Sequence, residues 1–232
     1  YICVTHMIEF PLRSLFFLLL FPCISFIPSA SVTAKTSLTT EQQSSASKLY
    51  AQGFRDFEAG EYRQAIAIFL ELLALEPNNF QAYNMLGMSF GGLEEYPTAI
   101  AAFERAIALN REFANAYYNR GYVYKQLGRL DFALVDFERT LQLTKGKHIS
   151  ALVNRSVIYA VQEDYSLAVA DLTQVIEQKP DEAIAYYNRA IVNLTMGHKT
   201  AYQQDLATAE RLYRQAGDKS GLAQVSRVRA SH

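Results

Sequence analysis

The chain has 232 residues, of which 50% are hydrophobic and 19% are charged. This composition is typical of a globular protein with a sizeable core and excludes a chain that is disordered throughout. The formal net charge of −1 argues against a nucleic-acid binder, because such proteins present a basic face to the phosphates. Both cysteines, Cys3 and Cys23, precede the body of the chain, which therefore offers no disulfide, thiolate nucleophile or cysteine metal site.

An apolar run, Leu15–Ile27, dominates the N-terminal part of the chain. It has 13 residues and contains Pro22, so it is shorter than the roughly 20 residues that a membrane-spanning helix needs. A small-x-small pattern that ends at Ala34 follows it. We therefore expect residues 1–34 to be a cleaved signal peptide, with Met7 as a candidate initiator, that exports the protein to a periplasm, a lumen or the extracellular space. The alternative is an anchor formed by the uncleaved hydrophobic segment.

Residues 35–45 are polar and rich in Ser, Thr and Gln, which predicts a linker. Beyond them the sequence repeats itself. Four similar segments align on alanines that are 34, 34 and 35 residues apart: Ala65, Ala99, Ala133 and Ala168. A fifth, weaker copy begins near Ala183. The period predicts five units, followed by a capping helix and tail over 217–232; the units are 46–79, 80–113, 114–147, 149–182 and 183–216.

Within each unit, apolar residues recur at helical spacing in two segments, which predicts two helices, A and B. One such unit cannot bury both apolar faces, so neighbouring units must stack into a solenoid. The predicted helices A are 46–59, 80–93, 114–127, 149–162 and 183–196. The predicted helices B are 62–76, 96–109, 130–143, 165–178 and 199–215, and a last helix covers about 218–230.

The two helices share a pattern of large and small residues. In the third unit, Tyr117 opens helix A and Gly121 follows four positions later, while helix B places Phe137 four positions after Ala133. With the 34-residue period, this pattern resembles the tetratricopeptide repeat family over residues 46 to about 216. The resemblance implies an all-α, right-handed superhelical solenoid. Tyr202 stands where the small residue of helix B belongs in copy five, so we expect that unit to be distorted or terminal.

The sequence contains no recognisable catalytic or metal-binding motif. His148, His198 and His232 belong to no zinc-binding motif, and we expect surface loop histidines. The glycines between Gly87 and Gly92 lie in a predicted helix that follows no strand, so they do not form a phosphate loop. We therefore expect a protein that is not an enzyme and that holds no metal or cofactor.

Arginine and aspartate recur together in the last three units, 16 residues apart: Arg120 with Asp136, Arg155 with Asp171, and Arg189 with Asp205. The first two units have neither charge at these positions. This joint occurrence predicts an ion pair between helix A and helix B of one unit, which fixes their packing. The alternative is an arginine row that binds anionic ligands.

Asparagine recurs at one position of helix A in the same units, as Asn119, Asn154 and Asn188. The resemblance implies that this position faces a concave groove, beside Tyr118, Tyr122, Tyr187 and Phe54. An amide can pair with a peptide backbone, and tyrosine offers apolar area with a polar tip. These residues therefore predict a peptide-binding groove. The alternative is that the amides bond only their neighbours and water.

We expect a protein–protein interaction scaffold that binds a partner polypeptide in this groove, and export suggests an assembly role in the cell envelope. Two other functions stay open. The chain could self-associate through the terminal apolar faces of the array, or it could be an enzyme whose site carries no recognisable motif. A capping helix over copy five would remove one of the faces that self-association needs.

Overall fold

The structure is a computed structural model that describes residues 39–231. The predicted signal peptide, residues 1–34, and residues 35–38 of the predicted linker lie outside the described residues. Within the described part the chain forms eleven α-helices and no strand. The helices are α1 Thr40–Glu58, α2 Tyr62–Leu75, α3 Phe80–Gly92, α4 Tyr96–Leu109, α5 Ala114–Gln126, α6 Leu130–Leu143, α7 Ile149–Val161, α8 Tyr165–Gln178, α9 Ala183–Thr195, α10 Lys199–Ala216 and α11 Lys219–Ser231.

Helix α1 begins six residues earlier than its predicted start at residue 46. A capping box explains this start: the Thr39 hydroxyl accepts from the Gln42 N–H at 3.3 Å, and the Gln42 side chain accepts from the Thr39 N–H at 3.0 Å. Both groups satisfy backbone donors that the first turn leaves unpaired. The predicted linker 35–45 is therefore corrected, because its residues 40–45 are helical.

Consecutive helices pack as antiparallel pairs, and each pair packs on the next. Helices α1, α3, α5, α7 and α9 are helices A, and their partners α2, α4, α6, α8 and α10 are helices B. The small residues allow the two helices of a pair to approach closely. A Cβ atom at Gly87 would lie 2.6 Å from the ring of Phe103, which is 1% exposed. The all-α repeat architecture predicted from the period is confirmed.

The turn between helix A and helix B uses a left-handed residue in every unit. Units one, three and five place glycine there, which adopts positive φ without a Cβ clash. Units two and four use Glu94 and Glu163 instead, with φ of 60° and 65°. A side chain in this conformation is strained, so two of the five turns are less favourable than the others.

Copy five keeps the same helix pair despite its large residue in helix B. Tyr202 is buried in a cluster with Ala190 and Leu206, and helix α10 continues past it to Ala216 without a break. Its ring fills space beside the small Ala190. The unit is the last complete one within residues 39–231, and it is not distorted at Tyr202.

Helix α11 covers the apolar end of copy five. Its Val225 is 1% exposed and belongs to the same cluster as Tyr213 of α10. Gly221 allows this contact, because a Cβ there would lie 2.3 Å from the Tyr213 ring. The helix thus occupies the surface that a second copy would need for stacking at this end. Among the described helices, none has both the length and the apolar character required to cross a bilayer.

Candidate peptide-binding groove

Helices A lie on the inner side of the array. Successive helices A come into direct contact with each other (α1 with α3, α3 with α5, and α7 with α9), whereas no two helices B of the described chain approach as closely. A stack whose A layer is tighter than its B layer curves towards the A layer. The inner surface formed by helices A is called the groove below, and the outward surface formed by helices B is called the outer face.

The three predicted ion pairs are formed between helix A and helix B of one unit. Each guanidinium donates through Nε and Nη2 to the two carboxylate oxygens of its aspartate. The donor–acceptor distances are 2.8 and 2.9 Å for Arg120–Asp136, 2.7 and 2.8 Å for Arg155–Asp171, and 2.8 and 2.9 Å for Arg189–Asp205. All three aspartates are buried. Each guanidinium is thus already paired with a carboxylate inside the array. The geometry therefore does not support the alternative of an arginine row that binds anionic ligands.

The arginines also reach the preceding unit. The remaining Nη1 of Arg189 donates to the Thr173 hydroxyl at 3.0 Å, and Nη1 of Arg120 lies 3.8 Å from a Glu104 carboxylate oxygen. Burial raises the pKa of Asp136, although the hydrogen bonds from Arg120 act in the opposite direction. Because removing two charges from water is costly, the pair fixes the geometry of the helices more than it stabilises them.

Two of the three predicted groove asparagines are bonded to the unit before them. Asn119 donates to the side-chain oxygen of Asn84 at 2.9 Å, and Asn154 donates to the Tyr118 hydroxyl at 3.3 Å. Asn154 also donates to the backbone carbonyl of Ser150 and accepts from the ammonium of Lys125. The alternative that the amides bond their neighbours therefore applies to these two residues.

Asn188 differs from the other two. In the preceding unit Val153 occupies the position that Asn84 and Tyr118 hold elsewhere, so no polar side chain is present to bond it. Within residues 39–231 its side chain makes no hydrogen bond, and it lines a cavity of about 560 Å³ together with Val157 and Ile191. Its amide is available to a ligand that enters this cavity.

The predicted aromatic residues fall into two groups. Phe54 and Tyr122 are 40% and 43% exposed on helices A. Tyr187 is half-buried and lines the same cavity as Asn188. Tyr118 is fixed instead within the array, because its ring lies 4.5 Å from the imidazole of His148. Phe54, Tyr122 and Tyr187 can therefore contact a ligand, while Tyr118 chiefly supports the wall of the groove.

His148 is not a surface loop residue. It is the N-cap of α7, and its Nδ1 accepts from the backbone N–H of Ala151 at 3.1 Å. Burial lowers its pKa from the usual 6.5. A protonated ring could not accept this bond, and its charge would be unfavourable at a helix N-terminus. The groove wall around Tyr118 thus depends on a neutral histidine.

Models of the tetratricopeptide repeat match residues 114–143 and, for another model of the repeat, residues 50–90 and 155–216. A further model, described as TPR repeat, matches residues 92–128. The chain belongs to the tetratricopeptide repeat family. No curated protein sequence is significantly similar to it.

Solved TPR structures have the same fold. MamA (residues 41 to the end) from Desulfovibrio magneticus RS-1 is 19% identical, with a TM-score of 0.65 over 73% of this chain and 96% of that chain. YrrB, described as a TPR protein with an unusual peptide-binding site, is 21% identical, with a TM-score of 0.60 over 75% and 88%. PilW, described as a widely conserved type IV pilus biogenesis factor, is 17% identical, with a TM-score of 0.65 over 80% and 92%. At these identities the similarity concerns the fold alone.

The TPR groove carries residues that the repeat pattern did not single out. Asn84, Lys125 and Val153 each occur at their position in one unit only. A search for recurring residues passes over them for that reason. Comparing the same position across units would have found Lys125, since that position holds apolar or small residues in the other units.

The chemistry of the TPR groove is that of a binding surface. Among residues 39–231, no group of three or more His, Cys, Asp or Glu side chains could hold a metal ion, and the buried side-chain polar atoms all have hydrogen-bond partners. What the groove presents to a ligand includes aromatic and aliphatic area, the amide of Asn188 and the ammonium of Lys125. These groups can bind a polypeptide by contact and hydrogen bonding.

Proposed function

We propose that this TPR protein is a scaffold that binds a segment of another polypeptide in its groove. The observation that carries the proposal is the unbonded amide of Asn188 beside the exposed aliphatic residues Val157 and Val161. A backbone segment can use the amide while its side chains cover the apolar wall. YrrB, which has the same fold, is described as having a peptide-binding site.

Exposed apolar side chains on the groove support this proposal. Phe54, Tyr122 and Val157 are each at least 38% exposed on the inner helices α1, α5 and α7. Apolar side chains exposed along one face mark interaction sites in soluble proteins when they form a patch. Tyrosine and phenylalanine supply contact area at a small cost in side-chain entropy, so these positions suit a partner surface.

Affinity capture from the native compartment tests the proposal. The full chain would be compared with Tyr122→Ala and Asn188→Ala, and with Phe132→Ala as a matched control, because Phe132 is 59% exposed on the outer helix α6. We expect the groove variants to lose the same captured polypeptide that the control retains. Loss with Phe132→Ala alone would place binding on the outer face and contradict the proposal.

We further propose that the protein acts outside the cytoplasm, as an assembly factor of the cell envelope. The support is the sequence of residues 1–34, and PilW, which has the same fold, is described as a pilus biogenesis factor. Mass spectrometry of the native protein tests export: the mature chain should begin at Lys35. A mature chain that retains Leu15–Ile27 would contradict cleavage and favour an anchor.

A further inference from the structure

One position of helix A differs in every unit and decides the shape of the groove. It lies four residues after the small residue of helix A and faces the crevice between that helix and the next helix A. We call it the crevice position. Its occupants are Phe57, Gly91, Lys125, Ala160 and Leu194.

The two small occupants open cavities. Gly91 lines a cavity of about 540 Å³ between α3 and α5, and Ala160 lines the cavity of about 560 Å³ between α7 and α9. A Cβ atom at Gly91 would find no atom closer than 4.0 Å, the distance to Val123, whereas at Gly92 it would meet the Tyr62 ring at 2.6 Å. Helix packing therefore does not require glycine at position 91. The space that a side chain would occupy there is open.

The crevice between these two cavities is bridged by Lys125. Its side chain extends from α5 to α7, where the ammonium donates to the Asn154 side chain, and it lies 5.2 Å from the centre of the Tyr122 ring. An ammonium has three donors, so it can bond a further acceptor. Along the groove, the first cavity is therefore followed by the ammonium of Lys125 and then by the second cavity.

Lys125 is distinctive in its charge. Helices α3, α5, α7 and α9 contain four charged residues, and three of them are the arginines paired with buried aspartates. The fourth is Lys125, which has no carboxylate partner among residues 39–231. A partly buried cation without a carboxylate of its own favours a ligand that brings a carboxylate to it.

The two cavities have different walls. The first is largely aromatic and includes Tyr62, Tyr96 and Tyr122. The second is largely aliphatic and includes Val157, Ile191 and Val228. Both are concave and present more apolar than polar surface, so each has room for a large apolar side chain together with the backbone beside it.

The spacing of the cavities sets the length of the ligand. They lie two inner helices apart, and neighbouring packed helices are about 8–10 Å apart, which gives roughly 16–20 Å between the cavities. An extended chain advances about 3.3 Å per residue, so about five or six residues span this distance.

We propose that the groove binds an extended peptide segment that places one apolar side chain in each cavity and a carboxylate side chain between them on Lys125. The two apolar residues are about five or six positions apart. This inference rests on the proposed function, since it names the chemistry of the polypeptide that the groove takes.

Selection of displayed random 12-residue peptides on the full chain tests the inference. We expect enriched peptides to carry two apolar residues at this spacing, with Asp or Glu between them. Gly91→Leu and Ala160→Leu place a bulky side chain in the first and second cavity, and each should weaken the selected peptides at least tenfold. Lys125→Gln should remove the preference for Asp or Glu and leave the apolar preference in place. Ala108→Leu, on the exposed side of α4, should change nothing.

Thermal unfolding of each variant shows whether it folds, so that a loss of binding can be assigned to the groove. Peptides that bind the cavity-filled variants and Lys125→Gln as well as the parent, but not Tyr122→Ala, would overturn the two-cavity inference and leave the proposed function standing. Peptides that bind all of these variants equally well would contradict the groove itself. An enrichment of basic peptides would overturn the role of Lys125.

Discussion

Asn119 and Asn84 join the third and second units by a side-chain hydrogen bond of 2.9 Å, and Asn84 is 6% exposed. The two residues do not occupy the same position of their helices, so the bond links neighbouring positions of consecutive units. An asparagine that the sequence predicted as a groove ligand therefore ties neighbouring units of the array together.

Replacing single asparagines should separate these two roles. We expect Asn119→Ala to lower the free energy of unfolding by about 1–3 kcal/mol, because it leaves the buried Asn84 oxygen without its donor. Asn188→Ala should change it by less than about 0.5 kcal/mol, because no bond is lost. Urea denaturation measures both. Equal effects would show that Asn188 also has a structural partner.

The contribution of an ion pair to stability can be tested by replacing it with the apolar pair that another unit has at the same two positions. At the positions of Arg120 and Asp136, the second unit has Leu86 and Ala102, which are also buried. We expect Arg120→Leu alone to cost about 3–5 kcal/mol, because it strands a buried carboxylate. The double variant Arg120→Leu, Asp136→Ala should recover most of that loss, as measured by chemical denaturation. If the double variant is as unstable as the single one, the pair contributes packing that apolar residues cannot replace.

Acid should weaken the array through His148. Because burial lowers the pKa of His148 from 6.5, the unfolded chain binds the proton more readily than the folded chain does. The contribution of this residue to stability is therefore complete above about pH 6.5 and is lost as the pH falls below it. Thermal unfolding between pH 7.5 and about 5 measures the effect.

His148→Asn provides the control, since the second unit uses Asn79 as the N-cap of α3 in the same way. Asparagine does not titrate, so this variant should lose the part of the pH dependence that His148 causes while keeping the cap. An unchanged pH profile would show that His148 titrates alike in the folded and unfolded chain.

The strained turns offer a stabilising substitution. Glu163 has φ of 65° at the position where other units have glycine. Glu163→Gly should raise the free energy of unfolding by about 1 kcal/mol, since the left-handed conformation costs a residue with a Cβ roughly 1–2 kcal/mol. Gln162→Gly, one residue earlier and at a negative φ of −83°, should instead lower it by about 0.5–1 kcal/mol. Differential scanning calorimetry compares the two.

The period alone predicted most helix bounds to within one residue, because the small residues, the turns and the apolar stripes all recur at one spacing. The start of α1 was missed, although the capping-box pattern from Thr39 to Gln42 was present in the polar segment assigned to a linker. The ion pairs could be predicted from the sequence because the two charges appear together or not at all. The hydrogen bonds of Asn119 and Asn154 could not be predicted, since they depend on how one unit is placed on the next.

The ion-paired residues are 16 positions apart, and the asparagine bonds join residues 35 and 36 positions apart. No long-range pairing of distant segments is needed to complete a unit, so the relative contact order is low and folding should be fast. During synthesis each pair of helices can close as soon as its own residues emerge, and it gains its neighbour after one more period. Folding can therefore begin in any unit and spread along the chain, so that an incomplete array is already partly native.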